Sequence, residues 1–207
     1  MLPAWLLDHL RRLRSLSPSS RLTYAKLQLE RSLPGHSSKP WPNAPLRSIL
    51  FVCHGNIIRS PMAAALLKQH LGAGGGESIK VSSAGLWAVS GRGADPRAVS
   101  VAQEFGLSLQ EHRAQLLTLE LVQGMDAICV MDYLNEAEIT TRFPAAKQKT
   151  FLLGAVVPVQ RGESIEIPDP YGEDLDAVRR CYRMLESRVR SLADRIRSAG
   201  PPRPPDV

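Results

Sequence analysis

Ser48-Ile49-Leu50-Phe51-Val52-Cys53-His54-Gly55-Asn56-Ile57-Ile58-Arg59-Ser60-Pro61 is the stretch that decides the fold. Residues 48–52 form a short apolar run, as expected of a strand buried on both faces. From Pro61 to about residue 71, Ala63, Ala64, Ala65, Leu66 and Leu67 predict a helix, which Gly72-Ala73-Gly74-Gly75-Gly76 ends. The reading is strand, tight loop, helix. Such a loop presents successive backbone N–H groups into one concavity, which suits an anion. Gly55 and Asn56 tolerate the positive φ that a tight loop needs. Ser60 fits a helix N-cap and Pro61 the first helical position. Arg59 carries a fork able to clamp two phosphate oxygens. Cys53, at the base of the loop, faces amides, an arginine and the positive end of a helix. In such settings cysteine pKa values fall to about 3.5–7.5. A thiolate beneath a bound phosphate is placed for in-line attack on phosphorus. A cysteine ending a core strand is often no more than a small buried hydrophobe. Only the whole constellation, with its glycine, asparagine, arginine and Ser-Pro, points to chemistry.

Outward from this stretch the pattern repeats. Residues 79–82 read as a second strand. Residues 96–105 read as a second helix, with Asp95 as N-cap and Gly106 at its end. Residues 126–130 and 149–153 read as a third and a fourth strand. Leu175, Val178, Tyr182, Leu185, Val189, Leu192 and Ile196 recur at helical spacing and predict a long final helix. Alternating short strands and helices imply an α/β fold, a parallel sheet wrapped by helices. In such folds the active site lies at the carboxyl ends of strands, which again selects residue 53.

The chain has 207 residues, 43% hydrophobic and 22% charged, enough for one globular domain with appendages. No apolar run is long enough for a spanning helix. A net charge of +6 would ordinarily point to nucleic acid or an anionic membrane. Residues 1–47, however, hold eight basic residues against two acidic ones, and the remainder is balanced. No nucleic-acid partner is therefore expected for the main body. Six of the sixteen prolines precede residue 46 and four fall in the last seven positions. This divides the chain into an arm with a Pro-rich linker (1–46), a main domain (47–199) and a Pro-rich disordered tail (200–207). Leu6, Leu10 and Leu13, with Leu2 and Trp5 beside them, predict one helical piece of the arm. Leu22, Ala25, Leu29 and Leu33 predict a second, capped by Ser19 or Ser20. Residues 1–33 either dock on a partner protein or an anionic membrane surface as a basic amphipathic helix, or pack on the body as an appendage. Asp8, His9, Arg11 and Arg12 interrupt any secretory leader, and three scattered cysteines form no disulfide framework. A cytoplasmic, reducing setting is expected, membrane-proximal if the arm docks there.

The segment from Ile49 to Leu67 resembles the signature of the low-molecular-weight protein tyrosine phosphatases, a Cys-x5-Arg-Ser loop near the chain start. Ser82-Ser83-Ala84-Gly85, Asp95-Pro96-Arg97-Ala98, Glu111-His112-Arg113-Ala114 and Val130-Met131-Asp132 resemble further landmarks of that family. Ile167-Pro168-Asp169-Pro170-Tyr171-Gly172 resembles its general-acid loop. The likeness runs from about residue 47 to 197, in order and spacing. It implies a flavodoxin-like, four-stranded parallel sheet with helices on both faces.

The resemblance also implies roles. Cys53 is the nucleophile that becomes a cysteinyl-phosphate, and Arg59 binds the equatorial oxygens. Asp169 is the general acid and then the base; lying between Pro168 and Pro170 restricts its backbone. His54, Gly55, Asn56, Ile57, Ile58 and Ser60 complete the phosphate loop. Asn56 holds its conformation and Ser60 supports the thiolate. Trp87 and Tyr171 are walls for an aromatic substrate, though Trp87 equally suits a loop anchor. The implied substrate is a phosphotyrosine protein, with bacterial tyrosine kinases of polysaccharide export as partners. No metal and no cofactor is implied. Many relatives have a second cysteine where this chain has Ile58, a partner that protects the nucleophile from over-oxidation. Cys129 and Cys181 replace it only if folding brings them close. Arginine-phosphate phosphatases are the nearest alternative, but they tend to carry a small polar residue at the position of Ile57. Arsenate reductases need a further cysteine pair that Cys129 and Cys181 do not resemble. A catalytically silent phosphate-binding module is the alternative from a different class.

Overall fold

The computed structural model describes residues 10, 13–14, 16–32, 39–42, 45–75, 79–156 and 164–200. Leu2, Trp5, Leu6, Leu33, Gly76 and the tail from residue 201 lie outside them. The helices are α1 (Pro18–Ser32), α2 (Arg59–Gly75), α3 (Pro96–Glu104), α4 (Leu119–Gln123), α5 (Tyr133–Arg142) and α6 (Leu175–Ser198). The strands β1 (Ser48–Cys53), β2 (Lys80–Gly85), β3 (Ala127–Val130) and β4 (Thr150–Leu152) pair in parallel, in the order β2-β1-β3-β4. Every residue of β1, β3 and β4 is buried, as a sheet covered on both faces requires. Alternate side chains of β1 serve two cores. Ile49, Phe51 and Cys53 join α2, α3 and α6, whereas Leu50 and Val52 join α4 and α5. This is the predicted α/β sheet with helices on both faces.

Several boundaries moved for physical reasons. β2 continues to Gly85, because its pairing with β1 runs from Ser48 opposite Lys80 to Cys53 opposite Gly85. Asp126 is not in β3. Its carboxylate accepts the N–H groups of Arg47 and Ser48 at 2.7 and 2.9 Å, which ties the start of β1 to that of β3. α2 begins at Arg59 and passes a left-handed kink at Gly72. Asp95 caps α3 as expected, accepting from Arg97 N at 2.9 Å. α4 and α5 gave no signal in the sequence. α5 buries Asn135, Glu136 and Glu138, which breaks the apolar period expected of a covered helix.

What covers α5 is α1, through its mixed face of Ser20, Thr23 and Tyr24. Thr23 Oγ1 meets Thr141 Oγ1 at 3.0 Å. The predicted apolar stripe faces outward instead, with Leu22 74% and Leu29 66% exposed. The predicted cap also changes. Ser17 Oγ, not Ser19 or Ser20, accepts from the first turn, from Ser20 N at 3.1 Å, with Pro18 at the first helical position. The Pro-rich stretch is not a free spacer throughout. Trp41 is buried against Phe151, its ring centroid 4.9 Å away, and Lys39 Nζ donates to the Thr150 carbonyl at 2.9 Å. No helix among the described residues is long and apolar enough to cross a membrane.

Candidate active site

The loop after β1 is held by its carbonyls. Cys53 O accepts from Leu86 N (3.0 Å) and His54 O from Trp87 N (2.9 Å). Ile57 O accepts from Asp95 N (3.0 Å) and Ile58 O from the Tyr182 hydroxyl (3.2 Å). Asn56 O takes the His112 Nε2 proton at 2.7 Å, which fixes that tautomer. A trans peptide points its N–H opposite to its C=O. With five carbonyls tied to the surrounding framework, the following amides turn into the loop's own concavity, where an anion is favoured.

Cys53 Sγ sits at the base, 3% exposed as a residue. Asn56 N donates to it at 3.3 Å, and Ser60 Oγ lies 3.1 Å away. Asn56 is the one described non-glycine residue with positive φ (55°), whereas Gly55 does not adopt one. That corrects the reading of Gly55. The Asn56 side chain explains how the strained conformation persists. Its Nδ2 donates to Ser60 Oγ (2.8 Å) and Ser83 Oγ (2.9 Å), and its Oδ1 accepts from Gln115 N (2.9 Å). Ser60 is not the helix cap that its sequence position implied. Its hydroxyl is spent on the loop, receiving from Asn56 and facing both Sγ and the Ala84 carbonyl.

Arg59 is 1% exposed, yet it bridges two carboxylates. Nη1 donates to Asp132 Oδ2 at 2.7 Å and to Ile167 O at 3.1 Å, and Nη2 donates to Asp169 Oδ2 at 2.5 Å. Burial alone opposes its charge, but Asp169, Asp132 and Cys53 together drive its pKa above the ordinary arginine value. The sequence marks Asp132 only as part of the Val130-Met131-Asp132 family landmark. Its Oδ1 caps α5 by accepting from Asn135 N at 2.7 Å, leaving Oδ2 for Arg59. Its place just beyond the carboxyl end of β3 was the signal that could have found it. The Asp169 loop docks through Ile167, whose N–H donates to Met131 O at 2.8 Å. Asp169 Oδ1 accepts from Tyr171 N at 3.4 Å in a local turn.

Cys53, Asn56 and Ser60 thus meet through direct contacts, and so do Arg59 and Asp169. Ile57 and Ile58 are buried and His54 is half-buried. Trp87 and Tyr171 are each 50% exposed, the first bonded to the loop through its backbone and the second to Asp169. The Arg142 guanidinium lies over the Trp87 ring at 5.1 Å. All three cysteines are free and buried. Burial pushes the Cys181 thiol up to about 12 and the Cys129 thiol higher still, so neither is a ready thiolate partner for Cys53.

Gly85 is fixed by close approach. A Cβ there would meet Asn56 N at 2.8 Å, and both Gly55 C and Ala88 Cβ at 2.9 Å. Gly85→Ala is expected to push the loop out of register, lowering kcat/KM on aryl phosphates by about 10–100-fold. The accompanying loss of stability is about 1–3 kcal/mol. Steady-state kinetics and thermal melting check both, and wild-type values in the two would show that the loop yields without cost.

Fold and loop define an α/β protein whose first strand ends in a thiol beneath an anion nest. The profile of the low molecular weight phosphotyrosine protein phosphatase family matches residues 48–200. The probable low molecular weight protein-tyrosine-phosphatase EpsP of Ralstonia nicotianae is 43% identical over 155 residues, covering 75% of this chain and 99% of that protein. The tyrosine phosphatase Wzb from Escherichia coli K30, solved in complex with sulphate, superposes with a TM-score of 0.65 at 36% identity. That superposition covers 73% of this chain and 99% of Wzb. The YwlE arginine phosphatase from Geobacillus stearothermophilus gives a TM-score of 0.66 at 36% identity, covering 73% and 94% of the two chains. The chain belongs to the low-molecular-weight protein-tyrosine-phosphatase family and is an enzyme of that type.

Proposed function

We propose that the enzyme hydrolyses phosphotyrosine in proteins through a cysteinyl-phosphate. The observation that carries this reading is the outward-tied loop with Cys53 Sγ at its base and Arg59 touching Asp169 at its rim. Sγ attacks phosphorus as the bond to the phenolic oxygen breaks, and Asp169 gives that oxygen its proton. Water then attacks phosphorus, passes a proton to Asp169 and releases Cys53 and inorganic phosphate. Arg59 and the loop amides hold the equatorial oxygens throughout. Asp132 keeps Arg59 aligned from behind, so the guanidinium does not depend on Asp169 alone. A bacterial tyrosine kinase, the partner that the family resemblance implies, is the first protein substrate to test.

YwlE is named an arginine phosphatase, so phosphoarginine is the competing substrate class. Ile57, buried in the loop, and the half-exposed rings of Trp87 and Tyr171 favour an aromatic ester. The test compares kcat/KM on matched phosphotyrosine and phosphoarginine peptides. The phosphotyrosine peptide is expected to be the better substrate by about tenfold or more. A preference for phosphoarginine would overturn the assignment.

A further inference from the structure

The loop that carries Asp169 is held at both ends, by different partners. At its entry, Ile167 gives its N–H to Met131 O at 2.8 Å and takes Arg59 Nη1 on its carbonyl at 3.1 Å. At its exit, Glu173 N donates to Pro170 O at 3.1 Å and closes the turn through Tyr171 and Gly172. The Glu173 carbonyl points out of that turn and accepts from Nη1 of Arg97, 76 positions earlier in the chain. Arg97 is the second residue of α3, where the positive end of the helix opposes a cation. The helix cap does not need its side chain either. Asp95 caps α3 through Arg97 N at 2.9 Å, a backbone contact that any residue at 97 would keep.

The guanidinium is nonetheless locked in place. Nε and Nη2 grip Asp95 Oδ1 and Oδ2 at 2.9 and 2.8 Å, a bidentate pair that fixes the direction of Nη1. Asp95 is itself bound to the phosphate loop, because its N–H donates to Ile57 O at 3.0 Å. The contacts therefore run from Ile57 through Asp95 and Arg97 to Glu173, from the loop beneath the phosphate to the loop that carries the acid. Such a link matters because proton transfer needs the acid within hydrogen-bond reach of the leaving oxygen. A misplacement of about 1 Å can cost about 100-fold. Pro168 and Pro170 stiffen the backbone on either side of Asp169, so a shift at Glu173 is carried back toward the carboxyl. We propose that Arg97 is a positioning residue for the general acid, a strap that fixes the Asp169 loop to the phosphate loop. The proposal rests on the phosphatase reading above, with Asp169 as its acid.

The experiment measures kcat/KM of the full chain on substituted phenyl phosphates, and competitive inhibition by inorganic phosphate. Wild type is compared with Arg97→Met, Asp95→Asn and Asp169→Asn. Methionine keeps an unbranched stem without donors, and asparagine at 95 still caps α3 but loses the charged grip on Arg97. Arg97→Met is expected to lower kcat/KM about tenfold on phenyl phosphate and about twofold on para-nitrophenyl phosphate, whose leaving group needs little protonation. Asp95→Asn should show the same grading, less steeply. The phosphate inhibition constant should stay within about twofold in both, a split that general damage to the site would not produce. A loss in Arg97→Met that is equal for every leaving group, beside a graded loss in Asp169→Asn, overturns the strap alone. So does a phosphate constant that worsens in step with kcat/KM, which would make Arg97 a prop of the phosphate loop. An ungraded loss in Asp169→Asn overturns the acid assignment, and the strap with it. If circular dichroism shows Arg97→Met unfolded, Asp95→Asn decides on the same terms.

Discussion

Cys53→Ser is expected to lower kcat on para-nitrophenyl phosphate by at least about 10⁴-fold. Serine fits the space of the thiol, and the polar groups around it remain: Asn56 N, a donor at 3.3 Å, and Ser60 Oγ at 3.1 Å from the present sulfur. The loop's carbonyl ties do not involve the side chain at 53, so the anion nest stays built. What is lost is the sulfur nucleophile, and a serine hydroxyl is a far weaker one unless a base activates it. Inorganic phosphate should therefore still bind in a calorimetric titration while turnover vanishes. Equal turnover in wild type and variant would remove Cys53 from the mechanism. Loss of phosphate binding would show instead that the thiol helps to build the loop.

Asp169→Asn should reduce kcat on aryl phosphates by about 10²–10⁴-fold. The amide is nearly isosteric and keeps an oxygen facing Arg59 Nη2, where the carboxylate now lies at 2.5 Å. Arg59 also retains Asp132 at 2.7 Å, so its position should hold. Only the proton is missing. The deficit should therefore grow as the leaving group becomes more basic, larger for phenyl phosphate than for para-nitrophenyl phosphate. A rate series across substituted phenyl phosphates measures this. A loss that is the same for every leaving group would assign Asp169 to positioning Arg59, and an unchanged rate would place the acid elsewhere.

The fold was legible where burial and sequence pattern agree. β1 is apolar because both faces of the sheet are covered, and α6 shows its period because one stripe packs against the core. The loop was legible because its chemistry is local, with cysteine, asparagine, arginine and serine inside eight residues. Three features escaped for the same reason: each depends on a neighbour distant in sequence. Asp132 reads as a simple cap until Arg59 is seen 2.7 Å away. α5 looks too polar for a buried helix until α1 is laid over it. α1 itself presents Thr23 and Tyr24 inward and Leu22 and Leu29 outward, the reverse of what hydrophobicity alone selects.

The packing of Lys39 and Trp41 has a consequence for how the protein behaves at high concentration. β4 is an outer strand of the sheet, and outer strands expose unpaired backbone groups that invite another chain to add on. Here the lysine ammonium occupies the Thr150 carbonyl and the indole shields Phe151. A form trimmed to residues 48–200, the extent of the family profile, would lose both guards and bare a sticky margin. The trimmed form is therefore expected to self-associate more readily than the full chain, which sedimentation of the two at high concentration would show.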